Sequence, residues 1–69
     1  MVNSARLIDS IEKSGLKKGF LAKELGIGTV TFWRKVNGKA DFKVGEVVKL
    51  CDLLGIQSDG EKARIFLRE

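Results

Sequence analysis

Apolar residues recur at helical intervals along most of this chain. Leu7, Ile8 and Ile11 stand three and four positions apart among Arg6, Asp9, Glu12 and Lys13, which predicts an amphipathic helix over Ser4–Ser14. Asn3 or Ser4 can cap its start, and Gly15 can end it in a left-handed conformation. Leu21 and Leu25, with Ala22 beside them, predict a second helix from Lys17 or Lys18 to Leu25. Gly26 then offers the positive φ that a tight turn needs, with Ile27 as the apolar plug of that turn.

A third helix is predicted from about Thr29 to Asn37, with Gly28 at its N-cap and Asn37-Gly38 at its end. At ~100° per residue, with Phe32 set at zero, Val36 falls at about 40° and Thr29 at about 60°. Val30 falls at about 160° and Arg34 at about 200°. Phe32 and Val36 therefore point to the core, while Val30, Thr31 and Arg34 point outward. Phe42, in the loop Lys39–Lys43, is expected to plug the core beneath that loop. A fourth helix over Val44–Leu54 carries Val44, Val47, Val48, Leu50, Cys51 and Leu54, the wide apolar face expected of a central buried helix. Gly55 ends it and Ile56 packs back. Ser58 and Glu61 have capping-box spacing ahead of a short fifth helix, about 59–67, with Ala63, Ile65, Phe66 and Leu67. Five short helices with short joints give a compact all-α fold, a single domain over 1–69.

Size bounds the picture: a chain of 69 residues buries only roughly 60% of its unfolded surface, so the core is thin. No run of ~18 apolar residues is present, so no membrane partner is expected. The stretch Met1–Arg6 lacks an apolar core, and no secretory signal is expected there. There is one cysteine, Cys51, and no histidine, which removes internal disulfides, the common zinc constellations and histidine-based triads. We expect a core thiol at Cys51, a reducing cytoplasm, no cofactor, no metal and no enzymatic role.

The distribution of charge is more informative. Residues 17–43 hold seven bases and two acids, whereas the rest of the chain holds six bases and seven acids. The whole net charge of +4 therefore gathers around the second and third helices. A clustered basic surface is the electrostatic footprint of a polyanion partner, although a solvated lysine-rich face has the same composition.

Ala22, Gly26, Ile27 and Phe32 have helix-turn-helix spacing: a small residue for close helix approach, a glycine for the turn, and two apolar residues that lock the crossing angle. On these residues, over roughly 4–56, the chain resembles the Cro/CI-type (XRE), lambda-repressor-like helix-turn-helix family. The helix-turn-helix itself would span about 18–37. The run Phe-x-Arg-Lys-x-Asn-x-Lys-x-x-Phe from Phe32 to Phe42, and Lys-x-Cys-x-x-Leu-Gly-Ile from Lys49 to Ile56, resemble small phage and prophage regulators of Cro-like or modulator-of-repression type. Three positions depart from that pattern. Gly28 replaces a helix-capping Ser. Lys43 replaces a Ser or Thr before the fourth helix, with Gly45 in its first turn. Lys18 replaces a neutral Gln or Thr. The first two predict weaker helix starts, by a few tenths to ~1 kcal/mol each.

The resemblance implies a sequence-specific regulator of double-stranded DNA in a bacterial host cell, acting on its operator by promoter occlusion, as a homodimer with half-sites about one helical turn apart. Thr29, Val30, Thr31 and Arg34 are the base-reading candidates. Arg34 is suited to a guanine edge, and Val30 and the threonine methyls to thymine. Lys17, Lys18, Lys35, Lys39 and Lys43 are phosphate candidates by charge and position. Trp33 either packs against the 38–43 loop or turns its indole N–H to a phosphate, and belongs to the phosphate set on the second reading. Ile65, Phe66 and Leu67 are the candidate dimer surface, with a contribution from the fourth helix. The alternative is a protein-interaction module that binds a phage repressor or recombination protein through Phe20, Trp33 and the last helix.

Overall fold

A computed structural model describes residues 2–66. They form five helices, α1 (Ser4–Ser14), α2 (Lys18–Leu25), α3 (Thr29–Val36), α4 (Val44–Leu54) and α5 (Asp59–Phe66), with no strand among the described residues. Leu67, the last residue of the expected fifth helix, lies outside them. No helix among these residues is long and apolar enough to cross a membrane.

Local chemistry sets the boundaries. Asn3 caps α1 by accepting from the Arg6 backbone N–H at 3.2 Å, and Gly15 ends it at φ 74°. The Asn3 N–H in turn donates to the Ile65 carbonyl, tying the start of α1 to the end of α5. Ser58 Oγ accepts from the Glu61 N–H at 3.4 Å, half of the expected capping box.

The core takes residues from every helix: Leu7 and Ile11, Leu21 and Ala22, Phe32 and Val36, Leu50 and Cys51, and Ile65, with Ile56 from the joint before α5. Phe32 is fully buried at the centre, so truncating it would cost about 3–5 kcal/mol. Phe42 does plug the loop: its ring meets Phe32 at 6.5 Å and Phe66 at 5.7 Å, both edge-on.

The fourth helix departs from expectation. Only Leu50 and Cys51 are buried, and Val44 and Val48 are 82% and 56% exposed. Burial centres on the side shared by Leu50, Cys51 and Val47. Val48 lies about 60° beyond Cys51 on the far side, and Val44 opens the helix where no neighbouring turn covers it.

Candidate nucleic-acid interface

The α2–α3 joint is built by backbone bonds. Gly26, at φ 73°, donates to the Lys23 carbonyl, and Ile27 donates to the Ala22 carbonyl, both at 3.0 Å. This is a Schellman closure, and it needs a left-handed residue at Gly26. Gly28 then starts α3 in extended conformation with no side-chain cap, and the Phe32 N–H returns to its carbonyl at 2.9 Å. Ala22 is 1% exposed beneath the joint, where a larger side chain would force the two helices apart.

The two faces of α3 are sharply different. Phe32 and Val36 are fully buried. Thr29, Val30, Thr31 and Arg34 are all exposed, Val30 by 76%. Thr29 was expected on the inner flank. As the first residue of the helix it has no turn ahead of it to cover it. Arg34 makes no ion pair among the described residues, so its guanidinium is available.

Lys35 corrects the phosphate set. It is 8% exposed, and its Nζ donates to Glu46 Oε1 at 2.6 Å. A lysine spent on a near-buried carboxylate has no donor reach toward a phosphate on the outer side. The same Glu46 oxygen accepts from the Lys43 backbone N–H at 2.9 Å. One carboxylate thus joins α3, the loop and the start of α4. It also supplies the N-terminal cap that the lysine side chain at position 43 cannot. Burial alone would raise the Glu46 pKa. The hydrogen bonds from Lys35 and the Lys43 backbone, with the charges of both lysines, reverse that and hold it below 4.5.

The other lysines of α2 and the segments beside α2 and α3 are open to solvent. Lys17, Lys18, Lys39 and Lys43 are exposed, and Lys23 joins them on α2. Lys18 Nζ sits over the Trp33 ring, 4.3 Å from its centroid. A cation–π contact at such a site contributes about 0.5–1 kcal/mol and holds the ammonium beside α3. Trp33 is half-buried, with its ring tilted on Phe32 at 6.3 Å. Its visible partners are therefore Phe32 and the start of α2, whereas the loop's aromatic, Phe42, turns to Phe32 and Phe66.

The expected dimer set is corrected as well. Ile65 is 2% exposed and belongs to the core, because the closure of α1 on α5 draws it inward. Phe66 is half-buried against Phe42, and Leu67 lies outside the described residues. Phe20 stands 45% exposed on α2.

Sequence reasoning missed Glu46, although its signal was present: it lies three residues after the N-cap Lys43, the position of a capping-box acid. Lys35 was legible too, about 60° from Phe32 on the inner side of the wheel. No protein-family model matches this chain, and comparison with curated proteins and with solved structures finds no match.

Proposed function

We propose that the chain is a sequence-specific double-stranded DNA-binding regulator of Cro-like type. The observation that carries this reading is the outer face of α3: four exposed residues able to meet base edges, Thr29, Val30, Thr31 and Arg34, with Lys18 held beside the helix over Trp33 and Lys17, Lys39 and Lys43 exposed on segments before and after it in the chain. The inner face of the same helix is held by Phe32, Val36 and the Lys35–Glu46 pair. A fixed helix with an unbonded outer face is what major-groove reading requires.

In this reading the lysines supply sequence-independent affinity and fix register, and Arg34 with its neighbours supplies specificity. Binding over a promoter excludes polymerase, so the action is occlusion in the bacterial cytoplasm. A domain of this size buries less surface on DNA than a pair does, so two copies on a two-fold site are expected. Base selection from a random-sequence duplex pool tests the reading. The chain should enrich one motif, Arg34→Ala should relax it at one base pair per half-site, and Lys18→Ala should weaken all sequences about equally. Failure to enrich any motif at low salt would overturn it.

One observation favours a second reading: Phe20 is exposed on α2, where a DNA-facing helix has little use for an aromatic ring. A module that docks a phage repressor protein through Phe20 would retain its function after Arg34→Ala.

A further inference from the structure

Lys39 and Lys43 lie on the segment that follows α3, and each hangs from a backbone N–H bonded back toward that helix. The Lys39 N–H donates to the Arg34 carbonyl at 2.8 Å, and the Gly38 N–H to the Lys35 carbonyl at 3.1 Å. Gly38, at φ 78°, supplies the left-handed turn that lets both bonds form. The Lys43 N–H donates to Glu46 Oε1 at 2.9 Å, and the same oxygen accepts from Lys35 Nζ at 2.6 Å. Lys39 is therefore registered to α3 directly, and Lys43 through one carboxylate. Both side chains are exposed, and neither makes an ion pair among the described residues.

We infer that Glu46 is a positioning residue for DNA binding: it holds the Lys43 backbone at a fixed offset from α3, so that the Lys43 ammonium meets a phosphate without first having to be ordered. The inference rests on the DNA-binding reading. Glu46 itself is unfit for the contact. Its side chain is 11% exposed, and a carboxylate repels a phosphate chain. Lys35 removes that repulsion. An ion pair at 2.6 Å neutralises the acid, so Glu46 can bond the Lys43 N–H without setting an open negative charge beside the lysine. Lys35 thus serves binding from inside the fold, with no phosphate contact of its own.

The carboxylate supplies local order that nothing else at this joint replaces. Lys43 stands at the N-cap of α4, with no side-chain cap of its own. Its carbonyl accepts from the Val47 N–H at 3.0 Å, the first bond of the helix, and its N–H is held by Glu46. Without Glu46 only the helical bond remains, and a residue held by the first helical bond alone frays with the helix end. Binding would then have to order that residue, which lowers affinity.

Two charge-matched variants isolate the bond. Lys35→Met/Glu46→Gln and Lys35→Met/Glu46→Leu each remove one base and one acid, so both keep the net charge of +4. Glutamine accepts from an N-cap N–H as glutamate does, and leucine cannot. Affinity is read by fluorescence anisotropy on the duplex carrying the selected motif, at a temperature where circular dichroism shows both variants folded. The leucine variant should bind about three- to tenfold more weakly than the glutamine variant. Lys43→Ala should weaken the glutamine variant by about three- to tenfold and lower its salt slope by about 1, yet change the leucine variant less than about twofold. A Glu46 that only stabilises the fold would leave the two Lys43→Ala effects equal, and equal effects overturn the inference. Exchange of the Lys43 amide in the free parent chain adds a reading that needs neither DNA nor a variant. That amide should exchange at least about tenfold more slowly than in an unfolded peptide, and exchange at the peptide rate overturns the inference by itself. A protected amide in a chain that binds no duplex at low salt would sink the functional reading, and the DNA role of Glu46 with it, while leaving the bond itself standing.

Discussion

Removing the Glu46 carboxylate by Glu46→Leu strands the Lys35 ammonium in a site where its side chain is 10% exposed. Truncating one partner of a fully buried pair costs about 3–5 kcal/mol. A little water still reaches both groups here, which lowers that figure, but the Lys43 N–H also loses its cap, worth about 0.5–2 kcal/mol. We expect Glu46→Leu to cost about 3 kcal/mol in total. A domain of 69 residues has only about 3–10 kcal/mol of stability, so this is a large fraction of it. Lys35→Met should cost less, about 1–2 kcal/mol, because Glu46 keeps its bond from Lys43 and borders solvent. The double variant leaves no stranded charge and fills the site with apolar volume. It should lie within about 1–2 kcal/mol of the parent, well short of the sum of the single losses. Urea unfolding followed by circular dichroism measures all four corners of the cycle, with equal slopes required for the comparison. Additive losses, or a Glu46→Leu effect below about 0.5 kcal/mol, would refute the reasoning and reduce the contact to an ordinary surface ion pair.

The same pair has a pH signature. Glu46 has a folded pKa below its ordinary value of 4.5, so the unfolded chain binds the proton first as pH falls. The stability it contributes is complete above about 4.5 and is lost below it, and Lys35→Met should flatten that loss in urea midpoints recorded between about pH 5 and 3. Gly19 and Gly45 sit inside helices, and an added Cβ at either meets nothing within 4 Å. Gly19→Ala and Gly45→Ala should each stabilise by about 0.5–1 kcal/mol, read as a rise of several degrees in Tm; a fall would mean that the glycines serve a close contact. Burial pushes the Cys51 thiol above 9.0, and the residue is 1% exposed. Its reaction with an aromatic disulfide reagent at neutral pH should run at least about a hundredfold slower than in urea, limited by opening of the fold; equal rates would contradict the burial.

The helices and the turn were legible in the sequence because each carries its own local signal. The intervals of Leu7, Ile11, Leu21 and Leu25 and the stops at Gly15, Gly26 and Gly55 agree with the observed boundaries within a residue. The inner and outer faces of α3 were legible as well, since the wheel separates Phe32 and Val36 from Val30 and Arg34. What escaped was tertiary. Lys35 was grouped with the surface lysines by charge type, while its partner lies eleven residues away on α4. Ile65 was assigned to the surface because nothing local reveals that Asn3 bonds its carbonyl. Val44 and Val48 fit an apolar pattern whose depth depends on how far α5 and the loop reach over α4. Periodicity identifies which side of a helix is apolar, and packing decides how much of that side is covered.

We propose that the exposed face of α3, with the exposed lysines before and after it in the chain, binds duplex DNA. Fluorescence anisotropy of a labelled duplex carrying the selected motif, titrated across a series of salt concentrations, tests this most directly. We expect log K to fall linearly with log salt, with a slope of about −2 to −4 per bound copy for two to four neutralised phosphates. Lys18→Ala should reduce that slope by about 1, while Lys35→Met, whose ammonium is already paired inside the fold, should leave it unchanged. Absence of binding at low salt, or a slope that Lys35→Met lowers and Lys18→Ala does not, would contradict the account.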